Sequence, residues 1–186
     1  MDMKSYNIYN QLGDFMKQTL KINILLISVI FVNLLADQIT KYLAVVYIKG
    51  QGVIHVIGDF FIMTYAENNG AFLGLGGNMP QPWRTFFLVL FPSIAIIAGI
   101  LYLILRKKVS LKQSIAVASI IGGGIGNVYD RAMHQGAVTD FLNFGFGNIR
   151  TGILNIADIS ITFGAILLFI FQYIEEKHST TLPEDS

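Results

Sequence analysis

Residues 22–45 read INILLISVIFVNLLADQITKYLAV, and this stretch decides the fold class. A membrane-spanning helix needs about 20 consecutive, predominantly apolar residues, and the stretch meets that length. It is too long for the hydrophobic part of a secretory signal, and it has no small-residue cleavage site before Asp37 and Lys41. We therefore predict a retained transmembrane helix.

The composition of the chain is that of a membrane protein. Of the 186 residues, 53% are hydrophobic and 13% are charged, whereas soluble domains carry about 25% charged residues. The net charge of +1 gives no argument for a nucleic-acid partner, and the lack of cysteine excludes disulfides, thiol nucleophiles and cysteine metal sites. Membrane lipid is the partner that the composition indicates.

Further apolar stretches predict three more transmembrane helices, at 86–105, 115–129 and 159–173. The last two are short for a membrane of about 30 Å, so we expect each to continue through its polar end. The prediction is an all-α membrane protein with an N-terminal extension at 1–21, a four-helix domain at 22–177 and a polar tail at 178–186. The extension is either an amphipathic surface helix or disordered, and the tail is predicted to be disordered.

Lysine and arginine in the short loops predict the orientation. The second connection carries four basic residues and the first helix is preceded by three, namely Arg106, Lys107, Lys108 and Lys112, and Lys4, Lys17 and Lys21. Both stretches, and with them both termini, are predicted to be cytoplasmic. The longer loops at 47–84 and 130–157 then face outside.

The first outer loop contains VIHVI at 53–57 and FFIMTY at 60–65, separated by Gly58 and Asp59. Such β-branched and aromatic runs predict a small hairpin or sheet on the membrane surface. The aromatic run at 141–146 in the second outer loop is interpreted as loop packing or membrane contact.

Four carboxylates reach one depth of the membrane by topology alone, and Asn68 and Asn69 join the same layer. They are Asp37, Asp130, Asp140 and Asp158. Asp37 and Asp130 lie at helix C-termini, where the helix dipole disfavours an anion. For these two we predict a structural role in paired charges, with Lys41 and Arg131 as the offsetting cations.

Asp140 and Asp158 have apolar neighbours on both sides, so burial should raise the pKa of each carboxyl group. Two carboxylates in contact tend to share one proton. One can then activate water as a base while the other donates a proton as an acid, which is the requirement for aspartyl proteolysis. For Asp158 the alternative is that it only caps the fourth helix.

Other readings of the sequence have less support. Gly122 and Gly126 are four residues apart in the third helix, which predicts close helix packing rather than a phosphate loop. The three histidines His55, His134 and His178 are scattered, so no metal site is predicted. A proton-coupled transporter is the alternative function, but its charges would lie near the midplane, whereas these gather on one side.

Several segments taken in order and spacing resemble the lipoprotein signal peptidase (signal peptidase II) family. They read DQITK at 37–41, NNGAF at 68–72, GNVYDR at 126–131, GAVTDF at 136–141 and NIAD at 155–158. The resemblance covers nearly the whole chain from the first helix through the fourth. Phe72, Leu73 and Leu154 depart from the family pattern and bear on substrate preference.

The resemblance implies an aspartic endopeptidase of the bacterial cytoplasmic membrane, with its active site near the outer face. It would remove the signal peptide from prolipoproteins by cutting before a diacylglyceryl-modified cysteine. Asp140 and Asp158 would be catalytic. The implied supporting or substrate-binding residues are Asn68, Gly70, Asn127, Arg131, Asn155, Asp37, Lys41 and Asp130. No metal or organic cofactor is implied, and a monomer is expected.

Overall fold

A computed structural model describes residues 3–71, 74–106 and 110–180 of the chain. Within them lie four helices: α1 (Met3–Tyr47), α2 (Trp83–Leu105), α3 (Leu111–Met133) and α4 (Ile156–Thr180). Four strands accompany the helices: β1 (Ile54–Ile57), β2 (Phe61–Asn68), β3 (Val138–Phe146) and β4 (Ile149–Arg150). Phe72, Leu73, Lys107, Lys108 and the end of the polar tail lie outside the described residues.

Every predicted helix is present, and each is longer than its apolar run. The N-terminal extension is part of α1, which continues without a break to Met3. At the other end α4 reaches Thr180, so the first residues of the predicted tail are helical. Hydrogen bonding between main-chain groups carries each helix through its polar ends, which hydropathy alone does not mark.

Three helices in the described part of the chain are long and apolar enough to cross a membrane. These spans are Tyr9–Tyr47, Trp83–Leu105 and Ile156–Lys177. The remaining helix, α3, has sufficient length but a more polar composition, because glycines interrupt its apolar run and Asn127, Asp130 and Arg131 follow it. The described part of the chain is therefore mostly helical, with three candidate spans.

Helix α3 is the centre of the bundle, since α1, α2 and α4 all pack against it. Glycines let two of these neighbours approach closely. A Cβ atom on Gly122 would lie 2.7 Å from the Ile30 carbonyl oxygen of α1, and one on Gly123 would lie 2.6 Å from the Ala157 carbonyl oxygen of α4. The prediction of close packing from this glycine run is confirmed.

The strands form one antiparallel sheet in the order β1-β2-β3-β4. The predicted hairpin is confirmed as β1 and β2, but β3 was not predicted, because its aromatic run was interpreted as loop packing. Asp140 of β3 pairs with Ala66 of β2, and Val138 of β3 pairs with Asn68 of β2. Phe141 and Leu142 of β3 bury their side chains against Ala44 near the end of α1. This packing carries Asp140 to the end of the helical bundle.

Candidate active site

Asp140 and Asp158 line one cavity, which has a volume of about 200 Å³. The strand β3 supplies Asp140, and the first turn of α4 supplies Asp158. The other polar side chains in the wall, among the described residues, are Asn68, Asn127, Arg131, Asn155 and Thr162. The structure thus brings together the two aspartates that the sequence predicted to pair, with four of their predicted supporting residues.

The carboxylate of Asp140 is held by two side-chain amides. Asn155 donates to its Oδ1 at 2.6 Å, and Asn68 donates to its Oδ2 at 2.9 Å. The residue is only 1% exposed. Because each carboxylate oxygen has a second lone pair, both oxygens keep the capacity to bind a proton or a water molecule.

Burial raises the pKa of Asp140 to about 6, and the negative charge of Asp158 contributes in the same direction. The hydrogen bonds from Asn68 and Asn155 act against this rise, because they favour the ionised form. The carboxyl group therefore exchanges its proton close to physiological pH, where general acids and bases are most effective.

Asp158 caps the start of α4, which was one of the two alternatives predicted for it, and it also lines the cavity. Its Oδ2 accepts a hydrogen bond from the Asn155 backbone N–H at 3.2 Å, and the Asn155 Oδ1 accepts one from the Asp158 N–H at 2.9 Å. This reciprocal pair is a capping box at the start of α4. The other oxygen of Asp158, Oδ1, points to Asn127, whose Nδ2 donates to it at 2.9 Å.

Two asparagine amides join the aspartates into one network. Asn155, which is fully buried, donates from Nδ2 both to Asp140 and to the Asn127 Oδ1, the latter at 3.1 Å. The Asn127 Oδ1 also accepts from Lys41 Nζ at 3.1 Å. Since a lysine ammonium can only donate, it turns the amide of Asn127 so that the NH₂ group faces Asp158.

Lys41 is the centre of a buried charge cluster behind the cavity. Its Nζ lies 2.7 Å from the Asp37 Oδ2 and 2.9 Å from the Asp130 Oδ2. Gln38 donates to both carboxylates, at 3.1 Å and 3.0 Å respectively. Gln38 was not identified in the sequence analysis; it stands next to Asp37 in the quoted DQITK motif, but a neutral amide gave no chemical signal.

The charge cluster ties three chain segments together. The Asp37 Oδ1 accepts from the backbone N–H of Ala157, the residue before Asp158, at 2.9 Å. The hydrogen bond from Ala157 to Asp37 at the start of α4 thus supports the predicted structural role of Asp37. The predicted pairing of Asp130 with Arg131 is not what the described residues show, because adjacent side chains on a helix point in different directions.

Arg131 instead holds the loop that follows β2. Its guanidinium donates to the Gly70 carbonyl at 2.7 Å and to the Asn127 carbonyl at 3.3 Å. Its Nε is buried and has no hydrogen-bond partner among the residues that the structure describes. Asn68 turns the same loop, since its Oδ1 accepts from the Gly70 N–H at 2.8 Å. A Cβ atom on Gly70 would lie 2.3 Å from the Gly74 carbonyl oxygen, so this position requires glycine.

The arrangement can activate water between two carboxyl groups that share a cavity. Among the described residues no hydrogen bond joins Asn69 to this network, whereas Asn68 contacts Asp140 directly. Within the described ranges, no three His, Asp or Glu side chains converge in a way that could hold a metal ion. The side-chain donors in the cavity wall are the amides of three asparagines, the Arg131 guanidinium and the Thr162 hydroxyl.

Comparison with known proteins identifies relatives over most of the chain. The family model described as Signal peptidase (SPase) II matches residues 29–174. A protein named lipoprotein signal peptidase from Bacillus pumilus (strain SAFR-032) is 40% identical over 155 residues, covering 81% of this chain and 96% of the relative. One of the same name from Francisella tularensis subsp. novicida (strain U112) is 37% identical over 147 residues, covering 77% and 88%.

Solved structures show the same architecture. The structure of a bacterial membrane enzyme obtained by the in meso method at 2.3 Å resolution superposes with a TM-score of 0.72 at 28% identity, covering 87% of this chain and 93% of that chain. A second, at 1.9 Å resolution, gives a TM-score of 0.67 at 30% identity, covering 79% and 91%.

Proposed function

Because the chain belongs to the signal peptidase (SPase) II family, we propose that it is an aspartic endopeptidase acting on diacylglyceryl-modified prolipoproteins. It cuts before the lipid-modified cysteine and so removes the signal peptide. The family assignment makes the chain a protease of lipoprotein processing; the two aspartates supply the proposed chemistry. Its peptidase domain is residues 22–177, which include the whole matched range 29–174.

The observation that carries this proposal is the shared cavity of Asp140 and Asp158. Asp140 is buried, and its pKa lies near 6 because of that burial and the charge of Asp158. Two carboxyl groups in such a site hold one proton between them over a range of pH. The pair therefore offers an acid and a base at the same time.

The proposed reaction needs no covalent enzyme intermediate. The ionised carboxylate takes a proton from water, and the water oxygen forms a bond to the scissile carbonyl carbon. The protonated carboxyl group gives its proton to the carbonyl oxygen, which yields a neutral diol. The aspartate that took the proton from water then protonates the amide nitrogen. The other aspartate takes a proton from a diol hydroxyl as the C–N bond breaks, so the pair again holds one proton.

Asn68 and Arg131 are proposed to bind polar atoms of the substrate backbone or of its lipid head. Both side chains line the cavity. The Asn68 amide hydrogen-bonds Asp140 and the loop, and the Arg131 Nε has no partner within the described part of the chain. An alanine substitution at either residue should slow cleavage; an unchanged cleavage rate in either variant would contradict this assignment.

The proposed topology places both termini in the cytoplasm of a bacterium and the aspartates near the outer face of its inner membrane. Helix α3 crosses as the fourth span, sheltered from lipid by α1, α2 and α4, which pack on it. The charge of Arg106 lies at the end of α2 opposite to Trp83, in agreement with the excess of basic residues on the cytoplasmic side. The sheet then lies on the outer surface.

A cleavage assay on a purified, diacylglyceryl-modified prolipoprotein tests the function. Wild-type protein should release the signal peptide, and Asp140→Asn and Asp158→Asn should each reduce the rate by at least about 10³-fold, because loss of either group removes the acid or the base. Asp14→Asn is the matched control, since Asp14 is 81% exposed in the N-terminal part of α1.

Circular dichroism should show unchanged helicity for all three variants. Substantial residual cleavage by either cavity variant would exclude the aspartate pair. A folded wild-type protein that leaves a correctly lipidated substrate intact would exclude the peptidase activity and return the transporter to consideration.

A further inference from the structure

A groove between α1 and α2 lies far from the two aspartates. Its volume is about 530 Å³. Asn23 lies in its wall. About 21 Å of helix separates Asn23 from Asp37, the residue that holds the backbone next to Asp158. The α1 side of the groove consists of residues spaced three or four apart, so they share one face of the helix, and they run from Phe15 to Ile30.

The groove exists because α3 separates α1 from α2. Leu26 of α1 and Leu103 of α2 belong to one buried cluster with Val117 and Ala118 of α3, and the two leucines form the floor of the groove. The walls stay uncovered by protein: Ile27 is 65% exposed and Ile104 is 69% exposed. In a bilayer, such a channel between two spans is open to hydrocarbon chains.

One end of the apolar wall carries a cation with polar neighbours. The Arg106 guanidinium donates to the Asn23 Oδ1 at 3.0 Å and to the Leu103 carbonyl oxygen, and Thr19 lies one turn of α1 further on. A guanidinium group has five N–H donors in a fork that suits phosphate, and among the described residues Arg106 uses only some of them. Of the described side chains that line the groove, none is acidic.

We propose that this groove binds an anionic phospholipid, with its phosphate at Arg106 and an acyl chain along Leu26, Ile27 and Ile30. The wall from Asn23 to Ile30 is about 10 Å long, which suits a chain within one leaflet of about 15 Å. A headgroup of net negative charge is favoured, because the mouth offers a positive charge and no lining acid. Basic pockets between spans recognise such lipids by the same combination.

The test uses the full chain in neutral detergent with phosphatidylglycerol or phosphatidylcholine of identical acyl chains. Phosphatidylglycerol should raise the thermal midpoint by about 5 °C at saturation, and phosphatidylcholine by clearly less. Arg106→Gln should raise the half-saturating concentration of phosphatidylglycerol about fivefold. Arg84→Gln, at the opposite end of α2, is the matched control and should respond like the wild type.

A second variant tests the acyl-chain part independently of the charge. Ile27→Trp fills the groove and should abolish the lipid-specific rise while Arg106 is intact; it also decides the question if Arg106→Gln does not fold. Glycerol 3-phosphate, which lacks acyl chains, should give no shift. Equal effects of the two lipids, a wild-type response in Arg106→Gln or in Ile27→Trp, or a full shift with glycerol 3-phosphate would each overturn the proposal. None of these outcomes depends on peptidase activity.

Discussion

Replacing Lys41 with methionine should lower the free energy of unfolding by about 3–5 kcal/mol. Methionine keeps the length of the side chain but removes the ammonium group that lies 2.7 Å from Asp37 and 2.9 Å from Asp130. The two carboxylates are 0% and 1% exposed, so neither can regain water. Gln38 still donates to both, but its amide carries no charge to offset them.

Thermal unfolding in detergent measures this loss. For a chain of this size about 1 kcal/mol corresponds to roughly 2–4 °C, so Lys41→Met should lower the midpoint by about 6–20 °C. Lys49→Met is the matched control, because Lys49 pairs with Glu67 at 3.0 Å while both side chains are more than half exposed. An exposed pair of this kind is worth about 0–1 kcal/mol.

The combined variant Lys41→Met/Asp130→Asn separates buried charge from lost packing. Removing one of the two uncompensated carboxylates should restore part of the stability, so the two substitutions should be non-additive by about 0.5–3 kcal/mol. The reasoning is refuted if Lys41→Met lowers the midpoint no more than Lys49→Met does, or if the added Asp130→Asn only deepens the loss.

Two further outcomes follow from the site. Asn68→Ala removes a hydrogen bond that lowers the pKa of Asp140, so this carboxyl group should hold its proton to higher pH. The high-pH limb of the kcat/KM profile should therefore move to higher pH. A limb that does not move would contradict the assignment. Gly126→Ala should destabilise the protein by about 1–3 kcal/mol, since the new Cβ would lie 2.4 Å from the Asp37 Oδ2. Gly13→Ala, with nothing within 4 Å, should leave the thermal midpoint unchanged or raise it slightly.

The helices were predictable because a bilayer demands long apolar runs, and residues 22–45 and 86–105 meet that demand without reference to their neighbours. The status of α3 was not equally clear. Its glycines and its Asn127 are tolerated because other helices cover them, and such shelter depends on packing that a hydropathy pattern does not contain. Strand β3 was missed for a similar reason: its pairing partner, β2, is distant in the sequence.

The candidate site was predictable in its charges and much less in its amides. Topology alone placed Asp140 and Asp158 at one depth, and the structure puts both in one cavity. The roles of Asn127 and Asn155 as links between the carboxylates rest on side-chain directions and on contacts between separate helices. The offsetting cation for Asp130 was predicted in part, since Lys41 pairs with it and Arg131 turns to Gly70.

The unbroken course of α1 from Met3 to Tyr47 bears on how its first residues become ordered. A free peptide of that length would have to initiate a helix in water, and initiation is the unfavourable step. Here the lipid-embedded part of α1 already supplies the first turns, so residues before Ile22 only extend an existing helix toward the amino end. Extension is weakest at Gly13, because glycine makes the free energy of helix formation about 1 kcal/mol less favourable than alanine does. We expect hydrogen exchange to be faster on the amino-terminal side of Gly13 than between Gly13 and Ile22.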